Sequence, residues 1–273
     1  MDKLNLSTPT ADWIKSGEIP WLFPTSLINP PQRYPPDKRI LVYVAVPWHV
    51  TVFIFQAMGL KLYGFPMSTP TECIMTCLAE KELEYELVPV DLPKGEHKNP
   101  THLAKNPFGQ IPVLEDASVT LFESRAITRY IAHKYKSGAD LSRCDNVEEA
   151  AMVGVWVEVE SQQFSPPMNA IIFEKFIKPL YLGQTADESI INENLVKLGM
   201  VLDVYEARLS NSKYLACDSF TLADLHHLPS IHYLFKTPHS NVITSRPHVN
   251  AWWEDISTRP SFIKVAEQMD AHA

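Results

Sequence analysis

The stretch Asn106-Pro107-Phe108-Gly109-Gln110-Ile111-Pro112 decides the fold, together with Leu121-Phe122-Glu123-Ser124-Arg125 shortly after it. The first stretch predicts a turn that enters a strand at Pro112, because proline cannot donate to a sheet ladder and belongs at a strand's first residue or at an edge. The second predicts the end of a strand over 119–122 and the start of a helix, with Ser124 as its cap. Together they bring a main-chain edge, a carboxylate and a helix N-terminus close to one another. Such a pocket suits a small peptide that carries an amine and carboxylates.

On both sides of these stretches, residues 60–136 predict alternating strands and helices. Leu60 to Tyr63 alternates apolar and polar residues, as a half-buried strand does. Thr69-Pro70-Thr71-Glu72 then has the pattern of a capping box with a proline in the first turn. The further predicted elements are a helix to about 82, a strand over 85–90, a short helix over 103–104, a hairpin of 112–114 with 119–122, and a helix over 124–135. The order βαβαββα predicts an α/β domain of the thioredoxin-like type.

Residues 137–145 are polar and lack periodicity, which predicts a linker. Residues 146–273 carry only helical patterns, and we predict an all-helical domain there. Pro166-Pro167 is expected to interrupt the first helix of this domain. The predicted helix starts are Asn146 with Glu149, Thr185 with Glu188, Thr221 with Asp224, and Ser245-Arg246-Pro247.

Residues 1–59 differ from the rest of the chain, and we predict that they lie outside the fold as an N-terminal extension. Residues 1–38 are rich in proline without a clear period, which is typical of irregular chain. The apolar run over 40–60 has the length of a membrane span, but Pro47 would break a helix at its middle. Three alternatives stay open: an upstream extension with Met58 as the working start, a membrane or organelle-directing segment, and an extra strand docked on the core. We favour the first.

The composition argues against several classes of function. The chain has 273 residues and a net charge of −8 at pH 7 without a basic block, which argues against a nucleic-acid partner. Its four cysteines form no Cys-x-x-Cys pair, which argues against a dithiol oxidoreductase and a zinc ribbon. We therefore expect a cytoplasmic protein with reduced cysteines and no metal site. No membrane association is expected unless residues 40–60 are retained and inserted.

Two of the quoted stretches also carry a family resemblance. Asn-Pro-Phe-Gly-Gln-Ile-Pro at 106–112 and Leu-Phe-Glu-Ser-Arg-Ala-Ile-Thr-Arg-Tyr-Ile at 121–131 resemble the glutathione-binding half of phi-class glutathione transferases, a plant class. Further similar stretches are Leu62-Tyr63-Gly64, Pro66-Met67-Ser68, Gly95-Glu96-His97-Lys98, Trp156-Val157-Glu158-Val159-Glu160 and Leu222-Ala223-Asp224-Leu225. The resemblance runs in order from about Leu60 almost to Ala273 and does not include residues 1–59.

The resemblance implies that Ser68 is the catalytic residue. Ser68 lies between the first strand and the first helix of the domain, where a hydroxyl can donate a hydrogen bond to an incoming sulfur and the helix dipole favours an anion. Both effects stabilise a thiolate, which is the nucleophilic form. On spacing alone, a helix cap is the better interpretation of Ser68. We predict that Thr69 takes the capping role and leaves Ser68 free.

The resemblance also implies the ligands. Glutathione is the co-substrate, no cofactor is expected, and the electrophile should lie in an apolar site between the domains. A homodimer is implied as well, with Phe108 docking on the partner. The implied glutathione-binding residues are His97, Lys98, Gln110, Ile111, Glu123 and Ser124, with Pro112 preceded by a cis bond. The implied electrophile-binding residues are Met67, Leu92, Phe173 and Ile177.

The chain departs from the family pattern at Glu72-Cys73, where phi-class proteins often carry arginine. A carboxylate adds negative charge where the arginine would add positive potential, so we expect weaker thiol activation than in a typical relative. We predict conjugation of glutathione to hydrophobic electrophiles, with glutathione-dependent reduction of hydroperoxides as a further activity of the same thiolate. The alternative is a non-catalytic carrier of apolar ligands on the same fold.

Overall fold

The computed structural model describes residues 40–46, 49–55 and 59–271, with side chains from residue 59 onward. The chain divides into two units, Met1–Ala57 and Met58–Ala273. Among the described residues, no helix combines the length and the apolar character that a membrane crossing requires.

The first unit contains two strands from the apolar run. Strands β1 (Ile40–Val46) and β2 (His49–Phe55) run antiparallel, with Ile40 opposite Phe55. They form a two-stranded sheet of their own, where the sequence predicted at most one extra strand. The predictions for residues 1–38 lie outside the described residues.

The second unit begins with a four-stranded sheet and its helices. They follow one another as β3 (Leu60–Gly64), α1 (Thr69–Glu80), β4 (Tyr85–Pro89), α2 (Pro100–Leu103), β5 (Val113–Asp116), β6 (Val119–Phe122) and α3 (Ser124–Lys134). In space the strand order is β4-β3-β5-β6, with β3 and β4 parallel and the other neighbours antiparallel. The predicted βαβαββα thioredoxin-like fold is therefore confirmed.

The register of this sheet follows from the apolar alternation in β3. Leu60 and Leu62 are buried, and the residue between them is only partly covered. Leu62 lies opposite Leu87 of β4 and Leu114 of β5, so the second strand of the sheet is fixed on both sides. A slip by one residue would turn these leucines away from the core.

The rest of the second unit is helical. Its helices are α4 (Val147–Val159), α5 (Ser165–Ile172), α6 (Lys178–Leu182), α7 (Glu188–Leu209), α8 (Leu222–Leu225), α9 (Leu228–Phe235), α10 (Asn241–Thr244), α11 (Pro247–Ser257) and α12 (Pro260–Ala271). Two π-helical turns, Glu160–Phe164 and Phe173–Ile177, join α4 to α5 and α5 to α6. Residues 135–271, all of them described, contain no strand, and the all-helical prediction is confirmed.

Two predicted helix starts agree with the structure. Asn146 caps α4, because its side chain accepts from the main-chain N–H groups of Glu148 and Glu149 at 3.1 and 3.2 Å. Thr221 and Asp224 form a complete capping box at α8. Both starts place an acceptor against helix N–H groups that have no partner within the helix.

Two other predicted caps are wrong, although α3 does begin at Ser124 as predicted. Asp187, and not Thr185, caps α7, since its carboxylate accepts from two main-chain N–H groups of the first turn. At α3 the cap position belongs to Glu123, and Ser124 is the first helical residue. A carboxylate near a helix N-terminus also gains from the helix dipole, which favours Asp187 over a threonine hydroxyl.

The prolines Pro166-Pro167 do not interrupt the helical path. Helix α5 begins at Ser165, so both prolines lie in its first turn, where the missing N–H would have no partner within the helix. The π-helical turn Glu160–Phe164 precedes them and continues the helical backbone from α4. The predicted break is therefore wrong, and the chain carries one long helical segment there.

Helix α1 lies at the centre of the second unit. Ile74, Cys77 and Leu78 are completely buried on the predicted face. The helix packs against α3 of the sheet half and against α8, α9 and α12 of the helical half. A residue on α1 can therefore contact both halves of the molecule.

Polar contacts join the two halves. Arg259, which immediately precedes α12, donates to both carboxylate oxygens of Glu80 at 2.6 and 2.8 Å. Arg125 of α3 donates to Glu160 at 2.7 Å and to the Ser165 hydroxyl at 2.9 Å. The bidentate Glu80 pair and the buried Glu160 pair fix the relative position of the sheet and the helical half.

Candidate active site

Ser68 lies between β3 and α1, at the N-cap position of the helix. Its main-chain N–H donates to the Phe65 carbonyl, and its carbonyl accepts from the Glu72 N–H, both at 2.9 Å. The half-buried Ser68 hydroxyl makes no capping bond, and the structure gives it no other hydrogen bond to a described residue. The backbone is therefore fixed while the hydroxyl stays available at the positive end of a 12-residue helix.

A cavity of about 400 Å³ lies beside this helix end. This volume lies within the range that small-molecule sites occupy, roughly 300–1,000 Å³. Pro70, two residues beyond Ser68, lines it, together with the predicted apolar residue Leu92. The structure also brings together around it all six residues that were predicted to hold a peptide ligand: His97, Lys98, Gln110, Ile111, Glu123 and Ser124.

Lys98 holds two loops together at the cavity. Its ammonium donates to the carbonyls of Phe108 and Gly109 at 3.1 and 2.8 Å. Gly109 has a φ of +57°, and a Cβ there would lie 2.9 Å from the His97 carbonyl oxygen, so only glycine fits this close approach. A lysine has three donors, and one therefore remains for a ligand.

The loop at Gln110 is positioned by two buried side chains. The Gln110 carbonyl accepts from His102 Nε2 and from Asn106 Nδ2, each at 2.9 Å. The bond between Ile111 and Pro112 is cis, as the resemblance implied. His102 and Asn106 were not predicted as parts of the site. Asn106 carries a usable signal, since its side chain also accepts from the Phe108 N–H in the Asn-Pro-Phe turn.

His97 faces the cavity as a neutral imidazole. Burial, followed by the charges of Lys98 and His102, lowers its pKa. Its Nδ1 atom is buried and has no hydrogen-bond partner among the described residues. The His97 ring therefore lines the cavity with one nitrogen that has no partner among the described residues.

Glu123 and Ser124 also line the cavity. Glu123 has a φ of +70°, which is uncommon for a residue with a side chain and is typical of functional positions. Its side chain is exposed, while Ser124 is buried as the first residue of α3. The pair presents a carboxylate, a hydroxyl and helix N–H groups to the same space.

The predicted apolar residues lie in two places. Leu92 lines the cavity, whereas Phe173 and Ile177 lie on the second π-helical turn and are 42 % and 37 % exposed. Met67 lies next to Ser68, and its sulfur accepts from the Tyr181 hydroxyl at 3.7 Å. The structure thus brings Met67 to the helical half, and of these four residues Leu92 lines the cavity described above.

The sequence analysis missed the aromatic residues around Met67. Tyr181 of α6 packs edge-on against Phe65, with ring centroids 6.4 Å apart. Tyr233 of α9 packs against Phe176 at 5.3 Å, and its hydroxyl lies 3.3 Å from the Met67 carbonyl oxygen. These residues come from distant parts of the sequence, and no local pattern joins them.

Comparisons with known proteins decide the family. The N-terminal domain model of glutathione S-transferases matches residues 58–133, and the C-terminal domain model matches residues 168–260. Glutathione S-transferase F13 of Arabidopsis thaliana is 50 % identical over 210 residues, which are 77 % of this chain and 95 % of that protein. The chain belongs to the glutathione S-transferase family.

Solved structures place this transferase in the phi class. The crystal structure of glutathione transferase F7 from Populus trichocarpa has a TM-score of 0.75 at 60 % identity, covering 77 % of this chain and 99 % of that one. Glutathione S-transferase I from maize, solved with an atrazine–glutathione conjugate, has a TM-score of 0.75 at 48 % identity, covering 79 % and 100 %. The chain is an enzyme of the transferase class, and the findings support this function over the carrier alternative.

This transferase departs from the predicted role of Glu72. The expected capping box of Thr69 and Glu72 is wrong, because Glu72 points into the interior and is completely buried. Burial raises the pKa of Glu72 to about 8, against the opposing effect of the adjacent Tyr233 hydroxyl. At neutral pH the carboxyl group is therefore mostly protonated. The negative charge on which the expected weak thiol activation rested is largely absent there.

Proposed function

We propose that this transferase binds glutathione in the cavity between α1, the Gln110 loop and α3, and conjugates its sulfur to hydrophobic electrophiles. The observation that carries the proposal is the position of Ser68, whose hydroxyl is free at the N-terminus of α1 beside that cavity. The hydroxyl donates a hydrogen bond to the glutathione sulfur and keeps it as a thiolate. The thiolate then attacks an electrophilic carbon, and the leaving group departs with its electron pair.

The size of this effect is sufficient for activation at neutral pH. A free thiol has a pKa of about 8.5. A charge-assisted hydrogen bond contributes roughly 1.5–3 kcal/mol, and each pKa unit corresponds to about 1.4 kcal/mol. One bond from Ser68 therefore lowers the thiol pKa by about one to two units, and the helix dipole acts in the same direction.

The remaining cavity residues hold the two ends of the tripeptide. His97 and the free donor of Lys98 bind the glycine carboxylate, and the Ile111 main chain pairs with the cysteinyl unit. Glu123 receives the γ-glutamyl ammonium. The Ser124 hydroxyl and N–H bind the γ-glutamyl carboxylate at the start of α3, and Gln110 lies between these ends.

Replacing Ser124 by alanine is expected to raise the KM for glutathione about tenfold and to change kcat much less. The hydroxyl binds the ligand's carboxylate equally in the ground state and the transition state, so its loss acts on binding. Steady-state kinetics with varied glutathione would measure both constants. Ser189→Ala, an exposed serine in the first turn of α7, is the matched control. A fall in kcat at unchanged KM would contradict this role of Ser124.

The electrophile is proposed to bind beside Met67, between Leu92 of the sheet half and Phe173 and Ile177 of the helical half. Two exposed apolar side chains on one π-helical turn support this site, because such groups favour an apolar ligand.

The thiolate of bound glutathione is also proposed to reduce organic hydroperoxides. Hydroperoxide turnover measured beside conjugation would give the balance of the two activities.

A conjugation assay tests the proposed function directly. The purified chain is mixed with glutathione and a chloronitrobenzene, and product formation is followed after subtraction of the uncatalysed rate. Saturable formation of the conjugate supports an enzyme. Binding of an apolar dye without conjugate formation for any electrophile in a panel would contradict the proposal and favour a carrier.

The transferase is proposed to be a homodimer. Phe108 is 66 % exposed at the tip of its loop, and Val147 and Val155 on α4 are 81 % and 51 % exposed. Large apolar side chains at this exposure are typical of surfaces that a partner covers.

Four free cysteines agree with a reducing compartment, and we propose a cytoplasmic location. The mass of the natural protein would decide whether residues 1–57 are retained.

Replacing Phe108 by serine is expected to weaken this dimer by at least tenfold in dissociation constant, because a fully buried aromatic side chain is an energetic anchor of an interface. Sedimentation velocity at matched protein concentrations would measure the change. Ile263→Ser removes another exposed apolar side chain, 44 % exposed, from α12 and serves as the control. Equal behaviour of both variants would count against Phe108 as the docking residue.

A further inference from the structure

Glu72 is a buried ionisable group that the proposed mechanism does not use. It lies in the first turn of α1, four residues after Ser68, and its N–H donates to the Ser68 carbonyl at 2.9 Å. Its side chain has no exposed surface, and Oε2 has no hydrogen-bond partner among the described residues. A buried carboxylate with an unpaired oxygen is strongly disfavoured, so the geometry favours the neutral acid.

The hydrogen bonds at Tyr233 point to the same protonation state. The Tyr233 hydroxyl lies 3.2 Å from Glu72 Oε1 and 3.3 Å from the Met67 carbonyl oxygen. A tyrosine hydroxyl has one proton, so it cannot donate to both acceptors. An ionised Glu72 would accept the hydrogen bond from the Tyr233 hydroxyl and leave the Met67 carbonyl without a donor. A neutral Glu72 donates to the Tyr233 oxygen instead, and Tyr233 then donates to Met67, so both bonds form.

We propose that neutral Glu72 is a positioning residue, which donates to Tyr233 and thereby lets Tyr233 hold the Met67 carbonyl and the adjoining Ser68 in place. This relay consists of the Glu72 carboxyl group, the Tyr233 hydroxyl and the Met67 carbonyl. It connects α1, α9 and the turn before α1, so a residue of the helical half holds that turn in place. The inference rests on the proposed role of Ser68. It adds that the position of Ser68 depends on the proton of the buried Glu72 carboxyl group.

The charges around Glu72 set the pH at which the relay is lost. Burial is the main cause that raises the pKa of Glu72 to about 8. Lys236, which follows α9, lowers it and Asp270 of α12 raises it, and these two form an ion pair with each other. On α1 the neighbour is Cys73. Its thiol donates to the carbonyl of His226, which follows α8, and the charges of Glu160 and Arg125 act on it in opposite directions. The relay is therefore intact below about pH 8 and is lost as the pH rises through that value.

Replacing Glu72 by glutamine is expected to remove an alkaline fall in turnover. In the unaltered chain, kcat should fall about five- to tenfold as the pH rises through about 8, since one hydrogen bond to the Ser68 turn is lost. A glutamine cannot ionise, and its amide N–H donates to Tyr233 at every pH. The pH profile of kcat in E72Q should therefore lack this step. The same step in E72Q as in the unaltered chain would overturn the proposal.

Tyr233→Phe provides a second, independent test, because it keeps the ring that packs on Phe176 and removes only the hydroxyl. We expect kcat to fall about tenfold at neutral pH, the KM for glutathione to stay within about twofold, and the alkaline step to disappear. Tyr214→Phe removes a hydroxyl that donates to Asp255 in the same helical half and is the matched control. An unchanged kcat in Y233F would overturn the proposal, whether or not E72Q folds.

Infrared spectroscopy separates the relay from the proposed function. The unaltered chain should show the band of a protonated carboxyl group that disappears as the pH rises through about 8 and is missing from E72Q. This readout needs no turnover. A chain with this band but without conjugation would refute the proposed function alone. A chain that conjugates glutathione, with Glu72 ionised at neutral pH, would refute the relay alone.

Discussion

Replacing Ser68 by alanine is expected to lower kcat/KM for conjugation about 8- to 25-fold at neutral pH. A charge-assisted hydrogen bond of roughly 1.5–3 kcal/mol to the sulfur corresponds to one to two pKa units. Without it, the bound thiol should ionise near its free pKa of about 8.5, and the thiolate fraction falls accordingly. The free energy of unfolding should change by less than about 0.5 kcal/mol, because the hydroxyl makes no capping bond.

Two measurements check the Ser68 prediction. Steady-state kinetics give kcat/KM, and an ultraviolet titration of the enzyme–glutathione complex gives the pKa of the bound thiol. Thr69→Ala is the matched control, since it removes the neighbouring hydroxyl at the first residue of α1. The mechanism would be refuted by a bound thiol in the unaltered chain that ionises as in water. It would also be refuted by equal losses in S68A and T69A.

Much of this fold is encoded in local patterns. The alternation at Leu60 and Leu62, and the buried face of α1, follow directly from the periods of a strand and a helix. The Asn106 turn and the start of α3 were recognisable because glycine, proline and a strand end have strong local preferences. The domain limits of 60–136 and 146–273, with a linker over 137–145, remain predictions.

The errors at helix starts have a common physical cause. Thr69 and Glu72 have the spacing of a capping box, but α1 lies between the two halves of the molecule, and the Glu72 side chain is drawn towards Tyr233. At α7 a nearby Asp187 outcompetes Thr185, since its carboxylate accepts from two N–H groups. Local spacing predicts that a helix starts, but tertiary contacts decide which side chain caps it.

The cavity was largely predictable, whereas the apolar site was not. The six residues proposed to bind glutathione all line the cavity. Gln110-Ile111 and Glu123-Ser124 carry a local turn or helix signal, whereas His97 and Lys98 were assigned from the family resemblance alone. Tyr181 and Tyr233 reach Met67 across more than 100 residues of sequence. Aromatic residues on helices are usually core residues, and only the packing of α6 and α9 against the Ser68 turn distinguishes these two.

Replacing Asp224 by alanine is expected to lower the free energy of unfolding by about 3–5 kcal/mol. The carboxylate is completely buried and accepts from the main-chain N–H groups of Leu215 and Thr221 and from the Trp252 indole, each at 3.0 Å. Burial raises its pKa to about 6 while these bonds lower it, so it stays mostly ionised at neutral pH. Alanine would leave these three N–H donors without an acceptor, each of which costs about 1–3 kcal/mol, while the Thr221 hydroxyl, which also donates to Asp224 at 3.2 Å, can rotate to another acceptor.

Urea unfolding at fixed protein concentration measures this loss, and two variants show where it comes from. Asp224→Asn keeps one oxygen for Leu215 and Trp252 but turns an amide N–H towards Thr221, so its loss should be intermediate. Asp218→Ala removes an exposed carboxylate from the same segment and should change the stability by less than about 0.5 kcal/mol. A loss in D224A no larger than in D218A would mean that water replaces the carboxylate fully. The capping box would then direct the start of α8 without stabilising the folded chain.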